Sequence, residues 1–191
     1  MKKENLLHIF SRMPELETER LILRPMRVSD APDMFDYAKR PEVTRYLLWN
    51  PHRDVAYTKR YLEYLAGRYR LGMHYEWALI HKEDDRMIGT CGFANIDCAH
   101  NSGELGYVLN PDYHGKGLVP EAARRVMKFG FSVLGLHRIE ARYMVENGAS
   151  RSVMEKLGMR DEGVRREAML VKGEYRDIGT YAILANEFRA E

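Results

Sequence analysis

Residues 113–122, with the sequence Tyr-His-Gly-Lys-Gly-Leu-Val-Pro-Glu-Ala, have the residue types of a phosphate-binding turn. Glycine lets the backbone turn tightly and approach a ligand closely, because no Cβ intervenes. The helix predicted to begin near Leu118 adds unpaired N–H donors and the positive end of its dipole. The segment therefore predicts a pyrophosphate cradle, although the glycine pattern alone fits equally well a turn that only reverses the chain.

Two better-known phosphate-binding patterns do not fit this loop. A nucleotide P-loop has a glycine, four further residues and then Gly-Lys-Ser/Thr, whereas here Leu118 follows Gly117. A dinucleotide fingerprint has a third glycine three residues on, at the position that Pro120 occupies. The loop belongs to neither class.

The elements that must position this loop alternate between strand and helix patterns along the chain. Strands are predicted at residues 20–26, 75–80, 87–93, 104–109, 138–145, 162–170 and 175–184. Helices are predicted to begin near residue 29 and to span residues 53–71, 118–134 and 150–157. This order predicts an α/β fold with a mixed sheet of about seven strands.

Composition indicates one globular unit. The chain has 191 residues, and its 30 basic and 28 acidic residues leave a net charge of +2 at pH 7. So small a charge argues against a nucleic acid as direct partner, and no apolar run is long enough to span a membrane. Cys91 and Cys98 match no zinc-site spacing, so no metal is predicted, and two cysteines fit a reduced cytoplasmic compartment.

We divide the chain into an N-terminal extension, residues 1–16, and a single domain, residues 17–191. The extension has two lysines and the short apolar patch of residues 6–10, without a small-residue cleavage site. It is therefore a poor signal peptide. We expect a short helix that packs on the body or on a partner chain, which leaves a homodimer open.

Together with its surroundings, the loop resembles the acyl-CoA signature of the GNAT acetyltransferase superfamily. The preceding residues 104–111 belong to that signature, and residues 147–150, 155–159 and 175–177 resemble the branch that acetylates ribosomal-protein N-termini. The similarity runs from about residue 17 to residue 188. It implies the GNAT fold with a mostly antiparallel sheet, acetyl-CoA as cofactor, and direct transfer of the acetyl group to an amine.

The resemblance also implies which residues bind coenzyme A. The backbone of Val108 and Leu109 would pair with the pantetheine arm, one of their amides would face the oxyanion, and Asn147 would hydrogen-bond the arm. The phosphates would lie on the loop, at His114, Gly115, Lys116, Gly117, Leu118, Val119 and Glu121. The superfamily usually has Gln or Arg at His114 and Gly or Ala at Val119. We expect both departures to be tolerated, because backbone amides hold the phosphates.

Glu104 and Ser150 are the candidate catalytic residues. Glu104 lies on the strand that leads to the cradle, where a carboxylate can take a proton from an amine; otherwise it is a solvent-facing strand residue. Ser150 matches the serine that follows the family's Asn by three residues and would donate toward the CoA sulfur; otherwise it caps the short helix. Met154 occupies the slot where many GNAT enzymes have a tyrosine acid, which favours Ser150 or a water.

The sequence does not determine the acceptor. Trp49, Trp77, Glu104 and Tyr175 are the candidate substrate contacts, although aromatic residues are core residues by default. Three functions stay open: acetyl transfer to a protein N-terminal amine, transfer to a small amine (an antibiotic, a polyamine or an amino acid), and a non-catalytic acyl-CoA-binding regulatory module. An acidic groove would favour a basic peptide, and a narrow closed pocket would favour a small molecule.

Overall fold

The structure, a computed structural model, describes residues 2–189. Its helices are α1 (Lys3–Ser11), α2 (Ala31–Ala38), α3 (Pro41–Thr44), α4 (Val55–Arg70), α5 (Leu118–Ser132) and α6 (Gly148–Lys156). Its strands are β1 (Leu16–Glu17), β2 (Leu21–Arg24), β3 (Tyr75–His81), β4 (Arg86–Asp97), β5 (Ser102–Leu109), β6 (Arg138–Met144), β7 (Arg160–Val171) and β8 (Glu174–Leu184). None of the helices in this range is apolar over enough length to span a bilayer.

These strands form one sheet in the order β1-β2-β3-β4-β5-β6-β8-β7. Strands β5 and β6 run parallel, and every other neighbouring pair is antiparallel. The predicted α/β fold with a mixed, mostly antiparallel sheet flanked by helices is confirmed. The described residues contain one strand more than expected, because the two residues of β1 are too few to produce a periodic pattern.

The parallel pair separates along its length. Its ladder has three rows, in which Ser102, Gly103 and Glu104 of β5 face β6. Strand β5 then continues to Leu109 and β6 to Met144 without further pairs between them. A gap therefore opens between the two strands, with its closed end at Glu104 and its open end toward the loop that precedes α5.

Helix α5 packs on one face of the sheet. The ring of its Phe129 lies 5.5 Å from that of Trp77, between centroids. Trp77 is fully buried, and its Nε1 donates a hydrogen bond to the carbonyl of Pro14 at 2.7 Å. Trp77 therefore belongs to the core on this face, and its predicted contact with a substrate is not supported.

Helix α1 completes the same face. Phe10 is fully buried, with its ring 4.8 Å from Tyr75, 5.8 Å from Trp77 and 6.2 Å from Phe129. Leu6, one helical turn earlier, is also buried. Residues 3–11 of the predicted N-terminal extension thus form a helix that packs into the main core, and Leu16 at its end belongs to β1.

Helices α2 and α4 cover the opposite face. Helix α4 begins at an Asp54 cap, whose carboxylate accepts the N–H of Tyr57 at 2.6 Å. Near the other end of α4, the Tyr69 hydroxyl donates to the backbone carbonyl of Glu76 at 2.6 Å. Because successive strand residues point to opposite faces, the side chain of Glu76 lies on this face while its neighbour Trp77 lies under α5.

Candidate functional site

The loop before α5 adopts the conformation for which its glycines are suited. Gly115 has φ +77° and Gly117 has φ +74°, in the left-handed region that other residues disfavour. No atom lies within 4 Å of a Cβ built on Gly115. Glycine is therefore required here by backbone conformation and not by lack of space. Helix α5 begins at Leu118, as predicted, with Gly117 as its N-cap.

The amides of residues 115–119 form a row without protein acceptors. None of these five N–H groups donates a hydrogen bond within the described part of the chain. The amides of His114 and Glu121, also predicted for the cradle, do have acceptors: the carbonyl of Pro111 at 3.0 Å and that of Gly117 at 3.2 Å. Five available donors at the positive end of α5 fit a diphosphate such as that of coenzyme A.

The side chain of Glu121 fastens this loop to the turn between β1 and β2. Its carboxylate accepts hydrogen bonds from Thr18 Oγ1 at 2.6 Å, from Arg20 N at 3.0 Å and from Arg20 Nε at 2.7 Å. Burial alone raises the pKa of Glu121, but these hydrogen bonds outweigh it and lower the pKa. Arg20 also donates to the Lys116 carbonyl at 2.8 Å. Glu121 thus positions the loop, rather than offering a side chain to a phosphate.

The two basic side chains of the loop contact the protein. His114 Nε2 lies 3.2 Å from the carbonyl oxygen of Leu109. Lys116 Nζ lies 5.0 Å from the centre of the Tyr113 ring, in a cation–π contact. Lys116 is exposed, so its flexible stem leaves the ammonium within reach of an anion on the loop.

The main chain of β5 presents alternate residues to the gap. Asn110 N donates to the Ile88 carbonyl of β4 at 2.7 Å. Backbone groups alternate in direction along an antiparallel strand, so Val108 also pairs toward β4, while Tyr107 presents its N–H and C=O groups and Leu109 its N–H group to the gap. The Leu109 carbonyl already contacts His114 Nε2. An extended ligand in the gap can therefore hydrogen-bond to the main chain of Tyr107 and Leu109. The predicted backbone contact of Val108 is replaced by its bonds to β4.

Tyr107 and Ser150 join the two sides of the gap. The Tyr107 hydroxyl lies 2.9 Å from Ser150 Oγ and donates to the Ser150 carbonyl at 3.1 Å. Burial raises the pKa of Tyr107, so the phenol is neutral at physiological pH. Ser150 is not the cap of α6, because Asn147 Oδ1 takes that role by accepting the Ser150 N–H at 3.1 Å. The Ser150 hydroxyl therefore faces Tyr107, and the Asn147 amide nitrogen is left for another acceptor.

Glu104 lies at the closed end of the gap and is paired with Arg142 of β6. Arg142 Nε is 2.8 Å from Glu104 Oε1, and its terminal nitrogen is 2.5 Å from Oε2. Both carboxylate oxygens are thus bound by one guanidinium, in a bidentate ion pair. Glu104 would have to release Arg142 before taking a proton from an amine. Its role as the base stays a prediction for kinetics to test.

The four predicted substrate contacts are not brought together. Trp49 lies in the loop before α4, half-buried, with its ring 5.2 Å from that of His52, which in turn contacts Tyr61. Tyr175 is 66% exposed at the start of β8. Glu104 is at the gap and Trp77 is in the core under α5. Trp49 is the aromatic candidate on the α4 side of the sheet.

Sequence reasoning missed Tyr107 and Arg142 as site residues. Tyr107 lies inside the motif that carries the family resemblance, so its position two residues before Leu109 is the available signal. Arg142 has no such signal, because it is 38 residues from Glu104 along the chain and contacts it only through the parallel pairing of β5 with β6. The gap thus has an ion pair at its closed end, a hydroxyl pair across it, and free amides at its open end.

This arrangement is accompanied by a direct family match. Residues 20–160 match the family described as Acetyltransferase (GNAT) domain. The chain belongs to the GNAT acetyltransferases. It is an N-acetyltransferase, and the family uses acetyl-CoA as acetyl donor.

The relatives of this GNAT protein span several acceptors. It is 35% identical over 176 residues to the uncharacterized N-acetyltransferase p20 of Bacillus licheniformis, covering 92% of this chain and 99% of that one. It is 28% identical to the [ribosomal protein uS5]-alanine N-acetyltransferase of Escherichia coli, covering 85% and 86%. The spermidine N(1)-acetyltransferase of E. coli is 26% identical, with 88% of each chain covered.

Solved structures agree with the fold. A GNAT-family acetyltransferase from Bacillus anthracis superposes with a TM-score of 0.82 at 30% identity, covering 91% of this chain and all of that one. Acetyl transfer to an amine is therefore the activity of the family to which this chain belongs.

Proposed function

We propose that this enzyme transfers the acetyl group of acetyl-CoA to the N-terminal amine of a protein, of the ribosomal-protein type, in the cytoplasm. The observation that carries the proposal is the gap between β5 and β6, which ends at five amides without protein acceptors. A diphosphate on those amides directs an extended arm along the gap. The motifs of the ribosomal-protein branch and the uS5-alanine relative support the choice of acceptor.

In this proposal the residues of the chain bind and orient, and acetyl-CoA supplies the activated acetyl thioester when it is bound. The amides of residues 115–119 hold the diphosphate, and the main chain of Tyr107 and Leu109 pairs with the arm as an added strand would. The Leu109 N–H faces the oxygen on which negative charge develops. The Ser150 hydroxyl, held by Tyr107, donates toward the leaving sulfur.

Attack by the amine itself, without an acyl-enzyme, is supported by the state of the cysteines. Cys91 is fully buried, and burial raises the pKa of its thiol. A protonated, buried thiol is a poor nucleophile. Cys98 is half-buried at the far end of β4, beyond Asp97. Neither cysteine lies on a strand that borders the gap.

A second candidate acceptor is a polyamine, favoured by the relative that acetylates spermidine. Both acceptors present a primary amine, so both use the gap in the same way. They differ in what must lie beyond the amine: a peptide needs an open groove, and a polyamine needs acidic groups along its length.

Release of CoA thiol from acetyl-CoA, measured against a panel of acceptors, tests the proposal. The panel contains peptides that begin with alanine, serine or methionine, the same peptides with a blocked N-terminus, and spermidine. We expect turnover with free N-termini and none with the blocked peptides. Turnover of spermidine alone would show that the acceptor is a polyamine and not a protein N-terminus. Absence of CoA binding in calorimetry would overturn the cradle itself.

A further inference from the structure

The carboxylate of Glu76 reaches the gap from two strands away. Glu76 on β3 lies opposite Gly92 on β4, and Gly92 lies opposite Gly106 on β5. A Cβ placed on Gly106 would stand 3.7 Å from Glu76 Oε1. The carboxylate therefore extends across β4 and ends over Gly106, in the part of β5 that β6 leaves unpaired.

Two positions without side chains make this reach possible. A Cβ on Gly92 would lie 2.3 Å from the Tyr75 carbonyl oxygen and 2.3 Å from the Cα of Glu76, distances that no real side chain tolerates. Only glycine fits at Gly92, and Gly106 leaves the surface of the gap open beneath the carboxylate. Because side chains alternate along β5, Glu104 and Gly106 are on the same face. Glu76 and Glu104 thus approach the gap from one side of the sheet.

The surroundings of Glu76 contain no cation paired with it among residues 2–189. His74 Nε2 lies 3.5 Å from Glu76 Oε2, but burial, and then the charge of Arg68, lower the pKa of His74 to about 4. His74 is therefore neutral at pH 7 and supplies no counter-charge. The other ionisable groups that face Glu76 are Tyr37 of α2, Tyr61 and Tyr69 of α4, and Cys91 of β4.

All of those groups are neutral at pH 7, because burial raises the pKa of each. The Glu76 side chain is 25% exposed, so part of it is accessible while most of its surface is out of water. Burial raises the pKa of Glu76 to about 7. A carboxylate with this property exchanges a proton readily at physiological pH, as a general base must.

Glu104 contrasts with Glu76 in each of these respects. Its two oxygens are held by Arg142 at 2.8 Å and 2.5 Å, so neither is free for an acceptor amine unless that ion pair opens. Glu76 has no such partner. Of the two carboxylates on this side of the gap, one is bound by a guanidinium and the other has no cationic partner among the described residues.

We propose that Glu76 is the general base that takes the proton from the acceptor ammonium group, while Glu104 with Arg142 holds the closed end of the gap. This inference rests on the proposed function. The ammonium gives one proton to Glu76, and its nitrogen then forms the C–N bond to the acetyl carbon as the C–S bond breaks. The second nitrogen-bound proton goes to the leaving sulfur, and Glu76 returns its proton to water.

The first test compares Glu76→Gln with Glu83→Gln, a matched change in the exposed turn between β3 and β4. We expect Glu76→Gln to lower kcat by about 10²–10⁴-fold, the usual contribution of a positioned base. It should also remove the limb of the kcat–pH profile near pH 7. Glu83→Gln should leave both unchanged. Ionisation of the acceptor amine gives a separate limb of the kcat–pH profile, and this limb should persist in each variant.

Two further measurements separate this inference from the proposed function. CoA affinity by calorimetry should be the same in wild type and Glu76→Gln; loss of CoA binding in the wild type would defeat the proposed function instead. A ¹³C-carboxyl NMR titration of the wild type, assigned by Glu76→Gln, should show one glutamate titrating near pH 7. Titration of Glu76 near its ordinary pKa, or a full rate in Glu76→Gln with loss only in Glu104→Gln, overturns the assignment.

Stability adds a readout that does not depend on activity. Because the folded pKa of Glu76 is raised, its contribution to stability is fully present below pH 4.5 and is lost as the pH rises through about 7. Glu76→Gln should remove this loss, so the variant should melt at or above the wild-type temperature at pH 8. A lower melting temperature at pH 8 would show that the carboxylate is structural.

Discussion

Substitution of Gly117 by alanine isolates the role of the loop conformation in cofactor binding. A new Cβ would meet only Arg20, whose terminal nitrogen is 3.8 Å away, so no clash arises. The cost is conformational: holding an L-residue at φ +74° takes roughly 1–2 kcal/mol. Gly117 is exposed, so the free loop can turn to negative φ and avoid this cost. The loop must then return to positive φ when the ligand binds.

The conformational cost therefore falls on binding, and we expect Gly117→Ala to bind CoA about 5- to 30-fold more weakly, the equivalent of 1–2 kcal/mol. The matched control is Gly173→Ala. Gly173 has φ +86° in the tight turn between β7 and β8, and no atom lies within 4 Å of a new Cβ there. That turn is closed by the pairing of Val171 with Glu174, so the strain there should lower stability and not CoA affinity.

Isothermal titration with CoA and urea denaturation measure the two quantities separately. The reasoning predicts an affinity loss without a comparable stability loss for Gly117→Ala, and the reverse for Gly173→Ala. CoA binding by Gly117→Ala within twofold of wild type would refute it. Equal weakening by both variants would show that the effect is not local to the cradle.

Three further predictions concern the groups around the gap. Glu121→Gln should destabilise the fold by about 1–3 kcal/mol at pH 7. Because the pKa of Glu121 is lowered, wild type and variant should converge in urea titrations as the pH falls through that lowered pKa, below the ordinary value of 4.5. Ser150→Ala should lower kcat by about 10²-fold. Its effect should combine non-additively with that of Tyr107→Phe, because the two hydroxyls form one pair. Ser132→Ala in α5 is the control variant, and additive effects of Ser150→Ala and Tyr107→Phe would show that the two hydroxyls do not act as a pair. Trp49→Ala should lower kcat/KM for the acceptor by about tenfold, equivalent to roughly 1.4 kcal/mol, and should leave CoA affinity unchanged. If CoA affinity fell as much as kcat/KM for the acceptor, Trp49 would lie outside the acceptor groove.

Local patterns were sufficient to predict the order of the elements. The alternation of β3 and β4, the polar turn between them and the helical spacing of α5 all depend on neighbours within a few residues. The start of α5 at Leu118 follows from the glycine before it. Element α3 was missed because four residues, Pro41–Thr44, carry too little periodicity.

Face and register could not be predicted in the same way. Alternation shows that Glu76 and Trp77 point to opposite sides of β3, but only the packing of Phe129 decides which side is the core. Alternation alone therefore leaves Trp77 available as an acceptor contact and gives no signal that Glu76 reaches the gap. The reach of Glu76 depends on Gly92 and Gly106, two glycines in other strands whose alignment with it exists only in the folded sheet.

The carboxylate of Glu121 has a consequence for the energetics of ligand binding. It ties the first turn of α5 to Thr18 and Arg20, and Arg20 also holds the Lys116 carbonyl of the loop. Separation of β1 from β2 must therefore disturb the loop. A ligand that binds the loop must in turn oppose the separation of these two strands. Saturation with CoA should slow backbone deuterium uptake in residues 18–24, which lie outside the loop in the turn before β2 and in β2 itself.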